Sequence, residues 1–93
     1  MKRYYVYILF SLKDKKLYIG FTSDLKKRFQ EHVDGRVIAT KNRRPLILIY
    51  YEYFTDLTDA KSRERYLKSG FGRSQLKKEL QHTLKMLNYS FLP

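Results

Sequence analysis

Residues 4–21, YYVYILFSLKDKKLYIGF, contain two apolar, tyrosine-rich runs separated by a short connecting segment. The first run, Tyr4 to Phe10, is continuously apolar and rich in aromatic and β-branched residues, which is typical of a strand buried on both faces. The second run, Leu17 to Phe21, follows a loop of about five residues, so the pair predicts a β-hairpin. Gly20 inside the second run indicates a bulge or a place where another group approaches the backbone closely.

The rest of the chain is expected to add one strand and three helices around this hairpin. Helix caps, glycines and hydrophobic spacing predict a first helix over roughly 24–34, which Gly35 ends, and then a basic loop over 36–45. A strand follows from Leu46 to Phe54. The chain continues with a helix over 58–69, which Gly70 ends, and a last helix that begins at Ser74. The resulting β-β-α-β-α-α order predicts a small α/β (α+β) fold. We expect a three-stranded, largely antiparallel sheet flanked by helices, in a single domain over residues 1–93.

The composition limits the class of protein. The 93 residues carry 20 Lys and Arg against 9 Asp and Glu, a formal net charge of +11. Such a charge favours a polyanionic partner, nucleic acid before an acidic membrane surface. The absence of cysteine excludes disulfide frameworks, thiol nucleophiles and iron–sulfur sites, and two histidines cannot build a tetrahedral zinc site alone. No apolar run reaches the ~18 residues of a membrane span and the basic N-terminus lacks a cleavage motif, so we expect a cytoplasmic, monomeric protein without a membrane partner.

Two polar side chains fall on the face of the first predicted helix that should be apolar. Leu25, Phe29 and Val33 define its inward stripe, and the same helical pattern contains Arg28 and His32. A cation on such a face is unfavourable unless it is paired or serves a ligand. The structural alternative is that Arg28 extends to solvent and His32 is a half-buried histidine with satisfied hydrogen bonds.

The second predicted helix carries a carboxylate on its inward face. Leu57, Ala60 and Leu67 mark the stripe, and Glu64 lies on it. One interpretation is a structural ion pair with a neighbouring arginine such as Arg28. The other is a functional carboxylate, and spacing alone leaves both open.

Tyrosines supply further candidates, although most of them are expected to be structural strand residues. Strand alternation places Tyr5 and Tyr7 on one face of the first strand. If Tyr7 and Tyr18 lie on the face that receives the first helix, their phenols meet Arg28 and His32. A site of this kind needs no thiol, serine triad or pair of carboxylates.

These residue types fit hydrolysis of a phosphodiester. One inward carboxylate is too few for a glycosidase or a two-metal centre, but it suffices to hold one Mg²⁺ or Mn²⁺, which takes its other ligands from water and substrate phosphate. Arg28 presents a planar fork that matches a phosphate and stabilises the charge that builds on it. The general base is then a tyrosine or His32, and a tyrosine needs nearby positive charge to lower its pKa from ~10.

The spacing of these residues resembles the GIY-YIG nuclease family. The first motif is Tyr5-Val6-Tyr7 and the second is Tyr18-Ile19-Gly20, with Tyr18 lying 11 residues after Tyr7. Arg28 lies ten residues beyond Tyr18, and His32 lies four residues beyond Arg28. Glu64 lies on a downstream predicted helix. The resemblance covers about residues 4–80 and is closest to small stand-alone bacterial members, which are similar to the N-terminal nuclease domain of the excision-repair endonuclease. It implies a three-stranded antiparallel sheet with flanking helices and divalent-metal-dependent cleavage of DNA.

The resemblance also implies roles for individual residues. Carried over by position, the two motif tyrosines are Tyr7 and Tyr18, one of which is the general base, the helical residues are Arg28 and His32, and the metal ligand is Glu64. The chain departs from the family where the repair nuclease has a lysine after the second motif, because Phe21 stands there. It also departs downstream, where no asparagine is assignable near Gln75.

Six basic residues flank the site in sequence and are expected to contact phosphates: Lys26, Lys27, Arg36, Lys41, Arg43 and Arg44. The alternative is a solvated basic face that serves solubility. No base-reading helix is evident, so we expect cleavage that depends on DNA structure, on branches, damage or ends, or else weak nonspecific cleavage. A targeting protein is the expected second partner. Two other functions stay open: a catalytically weak or inactive nucleic-acid-binding module on the same fold and, ranked last, a basic peripheral membrane protein. DNA and RNA are not distinguished.

Overall fold

The computed structural model describes residues 2–90, which form three strands, four α-helices and one short 3₁₀ turn at Lys41–Arg43. The elements follow in the order β1 (Tyr4–Ser11), β2 (Leu17–Thr22), α1 (Leu25–Val33), β3 (Leu46–Phe54), α2 (Leu57–Lys68), α3 (Gly70–Glu79) and α4 (Gln81–Met86). The strands make one antiparallel sheet in the order β2-β1-β3. The predicted three-stranded antiparallel sheet with flanking helices is confirmed.

The central position of β1 explains its unbroken apolar sequence. It pairs with β2 on one side and β3 on the other, and helices cover both of its faces. In the register, Tyr7 lies between Gly20 of β2 and Tyr51 of β3. Each of the outer strands, β2 and β3, pairs on one side only, so they are the two edge strands of the sheet.

The two faces of the sheet carry separate hydrophobic layers. On one face Val6 and Ile8 pack with Ala60 and Leu67 of α2, and Leu76 of α3 joins the same cluster. On the other face, Tyr7 and its neighbours in the sheet pack against α1. The sheet contributes Leu9, Leu46, Leu48 and Tyr18, and the helix contributes Leu25 and Phe29. Alternation along β1 therefore places Tyr7 in the layer beneath α1, which meets the condition that the sequence analysis left open.

Helix α1 is fixed at both ends by local hydrogen bonds. The Asp24 carboxylate accepts from the Lys27 amide at 3.1 Å, which makes it the N-cap. At the other end Gly35 has a φ of +74°, and the Arg36 amide donates back to the Glu31 carbonyl at 2.9 Å. This left-handed C-terminal turn ends the helix just after His32 and Val33, and the predicted stop at Gly35 is confirmed.

The C-terminal helices differ from the prediction. Gly70 was expected to end the second helix, but it is the first residue of α3, because Ser69 both ends α2 and caps α3 through its Oγ, which accepts from the Gly72 amide at 3.1 Å. Gly72, where a Cβ would lie 1.9 Å from the Tyr66 carbonyl oxygen, permits this close approach of α2 and α3. Leu80 then leaves the helical conformation, so α4 is a fourth helix that the predicted order lacks.

No helix within residues 2–90 is both long and apolar enough to cross a membrane. The last described residues fold back on the domain, since the Tyr89 amide donates to the Leu84 carbonyl at 2.9 Å and Lys77 lies over the Tyr89 ring. The parts of the single-domain prediction that concern residue 1 and residues 91–93 lie outside the described residues.

Candidate active site

A buried line of three polar side chains crosses the layer between α1 and the sheet. The Tyr7 phenol oxygen lies 2.8 Å from His32 Nε2, and His32 Nδ1 lies 2.7 Å from Thr40 Oγ1. The exposed fractions of Tyr7, His32 and Thr40 are 1%, 0% and 0%. We call this line the buried relay. It joins β1, α1 and the loop before β3, and both ring nitrogens of His32 have partners.

Burial sets the protonation of the relay. Burial, with the Arg28 charge adding to it, lowers the pKa of His32 to about 4. Burial likewise raises the pKa of Tyr7 to about 12, against the interaction with the Arg28 side chain, which lowers it. At neutral pH the imidazole is therefore neutral and the phenol protonated, and a neutral imidazole has one donor and one acceptor nitrogen. One arrangement that satisfies every partner has Tyr7 donating to Nε2 and Nδ1–H donating to Thr40.

Tyr18 and Gly20 place β2 beside this relay. The Tyr18 ring centroid is 5.2 Å from that of His32 and 6.3 Å from that of Tyr7. A Cβ on Gly20 would lie 2.4 Å from the Tyr7 phenol oxygen, so only glycine leaves room for the phenol over β2. The close approach that the sequence predicts at Gly20 is thus an approach by Tyr7. Tyr7, Tyr18 and His32 form a cluster of rings at the β2 side of the sheet.

Arg28 lies beside the Tyr7 phenol at the edge of this cluster. It interacts with the Tyr7 side chain, and its Nη1 donates to Glu31 Oε1 at 3.2 Å. About a third of its side chain is exposed, so the guanidinium is accessible to an incoming anion. The structure brings Tyr7, Tyr18, His32 and Arg28 together, as predicted from spacing.

Glu64 approaches the same region from α2, on the other side of the sheet. Its charge makes the smallest of the contributions that raise the pKa of Tyr7. Its carboxylate pairs with Lys68 at 2.9 Å and with Lys61 at 3.5 Å, and the side chain is 15% exposed. These lysines, and not the suggested Arg28, are its ion-pair partners.

The donor set at Glu64 determines what cation it suits. Among the described residues no group of three His, Cys, Asp or Glu side chains lies close enough to hold a metal ion. A single accessible carboxylate suits Mg²⁺ or Mn²⁺, hard cations that keep several waters and bind phosphate oxygens. Any cation there competes with the ammonium groups of Lys61 and Lys68.

The predicted phosphate-binding residues divide into two groups. Arg43 donates to both carboxylate oxygens of Asp14, at 2.6 and 3.3 Å, and so ties the β1–β2 turn to the loop before β3. Arg44 lies over the end of α1, where its Nη1 donates to the Val33 carbonyl at 3.4 Å, and its Nε donates to the Lys41 carbonyl. Arg36 pairs with Asp34. Lys26, Lys27 and Lys41 are exposed, and the structure gives their ammonium groups no ion-pair partner within residues 2–90.

Comparison with known proteins identifies the family of this chain. The profile of the GIY-YIG catalytic domain matches residues 3–79, most of the chain and every residue discussed as a candidate for catalysis. The chain belongs to the GIY-YIG family. Membership of a family defined by this catalytic domain indicates a nuclease that acts on nucleic acid.

Relatives within the GIY-YIG family include small proteins of similar length. A UPF0213 protein of Clostridium perfringens is 38% identical over 86 residues, which cover 91% of each chain. A UPF0213 protein of Staphylococcus haemolyticus is 38% identical over 82 residues, covering 87% of this chain and 98% of that one. The solution NMR structure of a UPF0213 protein from Bacillus halodurans superposes with a TM-score of 0.53 at 32% identity, covering 82% of this chain and 83% of that one.

Sequence reasoning missed three residues of this GIY-YIG site. Thr40 is buried and completes the relay, but a threonine in a basic loop gives no signal of that position. Lys61 and Lys68 lie three and four residues from Glu64, a spacing that predicts ion pairs on a helix and could have identified them. The Lys61 ammonium also lies 4.0 Å from the centroid of the Phe21 ring, so a cation stands beside the position that follows the second motif.

Proposed function

We propose that this chain is a divalent-metal-dependent endonuclease that hydrolyses DNA phosphodiester bonds, in repair or on structured DNA. The observation that carries the proposal is the convergence of Tyr7, Tyr18, His32 and Arg28 at one side of the sheet. The net charge of +11 suits a polyanionic substrate. We further propose that residues 1–93 form one domain that acts as a monomer in the cytoplasm, without a membrane partner.

Arg28 is proposed to bind the scissile phosphate. Its charge is permanent, its fork matches phosphate geometry, and it is partly exposed next to the Tyr7 phenol. A donor fixed where charge develops on the phosphoryl oxygens stabilises the transition state more than the ground state. Arg28 also acts to lower the pKa of Tyr7, although burial of that phenol outweighs it.

Tyr18 is proposed as the general base, and Tyr7 with His32 as the residues that orient it and the phosphate. Tyr18 is partly exposed, whereas Tyr7 is 1% exposed and bonded to His32, so an attacking water reaches Tyr18 more readily. His32 has its pKa lowered by burial to about 4, which makes it a poor proton acceptor. His32 is therefore a positioning residue that holds the Tyr7 phenol over Gly20.

Glu64 is proposed to hold the metal ion, one Mg²⁺ or Mn²⁺. When bound, such an ion supplies Lewis-acid stabilisation of the leaving 3′ oxygen. The carboxylate is partly exposed, so it would be able to hold such an ion. Lys61 and Lys68 neutralise Glu64, and a bound ion would compete with their ammonium groups.

Phosphate contacts beyond the site are proposed for the basic residues of α1 and the following loop. Lys26, Lys27 and Lys41 are exposed and supply charge without base recognition. Arg36, Arg43 and Arg44 first have to leave their internal partners. Selection of branched or damaged DNA then falls to substrate shape or to a targeting protein, the second partner that we propose.

A nicking assay tests this proposal. Supercoiled plasmid and a flapped oligonucleotide are incubated with the protein in Mg²⁺, Mn²⁺ or EDTA, with Glu64→Gln, Arg28→Ala and the control Glu79→Gln, a change at an exposed glutamate of α3. We expect metal-dependent product, a loss of at least about 100-fold in the first two variants, and wild-type activity in the control.

Two outcomes would contradict it. Cleavage that persists in Glu64→Gln would show that the metal site is misplaced or that the product comes from a contaminant. No product on either substrate, with salt-sensitive DNA binding kept in all variants, would favour the binding module. The pairing of both Glu64 oxygens with lysines is the observation that supports that second candidate.

A further inference from the structure

Three tyrosines form a surface on the α1 side of the sheet, beyond the end of that helix. Tyr5 of β1 lies 5.9 Å from Tyr51 and 5.6 Å from Tyr53 of β3, measured between ring centroids. Tyr51 and Tyr53 are 50% and 47% exposed. We call these three rings the tyrosine platform. It lies on the same face of the sheet as Tyr7, which is paired directly with Tyr51 in the strand register.

The needs of folding do not account for so much exposed aromatic surface. Cross-strand tyrosine pairs stabilise an antiparallel sheet, but half of the area of Tyr51 and Tyr53 faces solvent. On the other face of β3, Tyr50 is partly buried and its phenol donates to Glu52 at 2.7 Å. Helix α1 covers Leu48 and Tyr7 with Leu25 and Phe29 but leaves the platform open.

A groove separates the platform from α1. Its volume is about 590 Å³, its floor includes Tyr5, Tyr51 and Leu48, and its α1 wall includes Lys26 and Gln30. Arg3 also lines it, from the start of β1. Arg3 and Lys26 are exposed cations of the groove lining, which also contains the Asp24 carboxylate, so the groove combines aromatic faces with a net positive charge.

We propose that this groove and the adjoining Tyr53 ring bind unpaired nucleotides, with bases stacked on Tyr51 and Tyr53 and phosphates contacted by Arg3 and Lys26. A ring on a sheet surface stacks on a base only when the face of that base is free, which in a duplex it is not. This inference rests on the proposed function and narrows its substrate to nucleic acid with an unpaired segment, such as a flap, loop or end.

The position of the groove indicates which part of the substrate it holds. The groove lies between α1 and β3, whereas Tyr7 and Arg28 lie on the β2 side of α1. Neither Tyr7 nor Arg28 lines the groove, although Tyr7 is paired with the groove residue Tyr51 in the strand register. The unpaired nucleotides flank the cut bond and do not include it.

Binding in EDTA, where metal-dependent cleavage is absent, tests the platform directly. Fluorescence anisotropy is measured with a labelled unpaired 20-mer of DNA, the same strand in a duplex, and an RNA 20-mer of the same sequence. The proteins are wild type, Tyr51→Ala/Tyr53→Ala, Tyr51→Phe/Tyr53→Phe, and Tyr66→Ala, an exposed tyrosine of α2. Thermal melts check that each variant is folded.

We expect the double alanine variant to bind an unpaired strand about 30-fold more weakly, as the loss of two stacked rings implies. Its affinity for the duplex should stay within about twofold, and the double phenylalanine and Tyr66→Ala variants should match wild type. Loss on DNA, RNA or both supports the proposal and identifies the sugar that the groove accepts.

Three results would overturn it. One is unpaired-strand affinity in the folded alanine variant within about twofold of wild type. Another is an equal loss of affinity for the duplex, which would show that the two rings do not act on unpaired strands in particular. The last is a wild-type dimer that the alanine pair converts to a monomer, which would mean that a second copy covers the platform. Plasmid nicking by wild type is scored separately, so failure of the nuclease proposal is not confused with failure of this one.

Discussion

Mild acid should destabilise the protein through His32 alone. Its imidazole is fully buried, bonded at both nitrogens, and its pKa is lowered by burial from 6.5 to about 4. As pH falls below 6.5, the unfolded chain binds a proton that the folded chain refuses, so the free energy of unfolding falls. The contribution is complete above pH 6.5 and is lost progressively down to about pH 4.

The size of the effect follows from the two pKa values of His32. Between pH 7 and pH 5 the linkage relation gives a loss of about 2 kcal/mol in the free energy of unfolding. For a domain of 93 residues, that loss lowers the melting temperature by about 8–16 °C. Asp14 and Glu52 have pKa values held below their ordinary range, Asp14 by Arg43, and Glu52 by hydrogen bonds from Arg63 and Tyr50 that outweigh its burial. Their losses therefore begin only at lower pH.

Thermal melts at closely spaced pH values from 5 to 7 measure this loss. His32→Gln removes the buried imidazole, and its melting temperature should change little over the interval, although the variant starts less stable. His82→Gln removes the exposed imidazole of α4 and should decline as wild type does. A decline in His32→Gln as steep as that of wild type would refute the reasoning, as would an NMR titration placing the His32 pKa near 6.5.

Three further outcomes are expected. In Gly20→Ala the new Cβ would lie 2.4 Å from the buried Tyr7 phenol oxygen, so the free energy of unfolding in urea titrations should fall by about 1–3 kcal/mol. Plasmid nicking should fall with it, and unchanged nicking would show that the Tyr7 phenol has no role. Lys68→Gln removes an ammonium at 2.9 Å from Glu64, so nicking should reach half its maximum at a several-fold lower Mg²⁺ concentration, and an unchanged metal dependence would contradict that competition. Arg43→Gln should lower the melting temperature, whereas Lys41→Gln, at an exposed neighbour, should change only DNA affinity; equal melting temperatures would argue against a structural role for Arg43.

The sheet was predictable because each strand coincides with a local run of β-prone residues. Tyr4 to Phe10 and Leu46 to Phe54 are long β-prone runs, and the observed strands Tyr4–Ser11 and Leu46–Phe54 match them within one residue. Alternation also predicted that Tyr5 and Tyr7 share one face of β1, but only the structure shows that this face receives α1. These properties depend on residues next to each other in sequence, which a periodicity captures.

Departures from the sequence reasoning come from contacts between distant segments. Val33 was expected inward but is 44% exposed, because the turn at Gly35 ends α1 and His32 takes the buried position. Arg43 was expected on DNA but pairs with a residue 29 positions earlier, which no local pattern shows. The Glu64 partners were predictable from helical spacing, whereas Thr40 was not.

The buried relay ties the loop between α1 and β3 to the candidate site, with consequences for protein engineering. Thr40 is held by its own backbone, since its amide donates to the Val37 carbonyl at 3.1 Å and its carbonyl accepts from Arg43 at 2.8 Å. A chimera that imports this loop from a relative of different loop length would shift Thr40 and release the imidazole it holds. Loop transplants in this scaffold should therefore exchange Thr40, His32 and Tyr7 as one inherited unit.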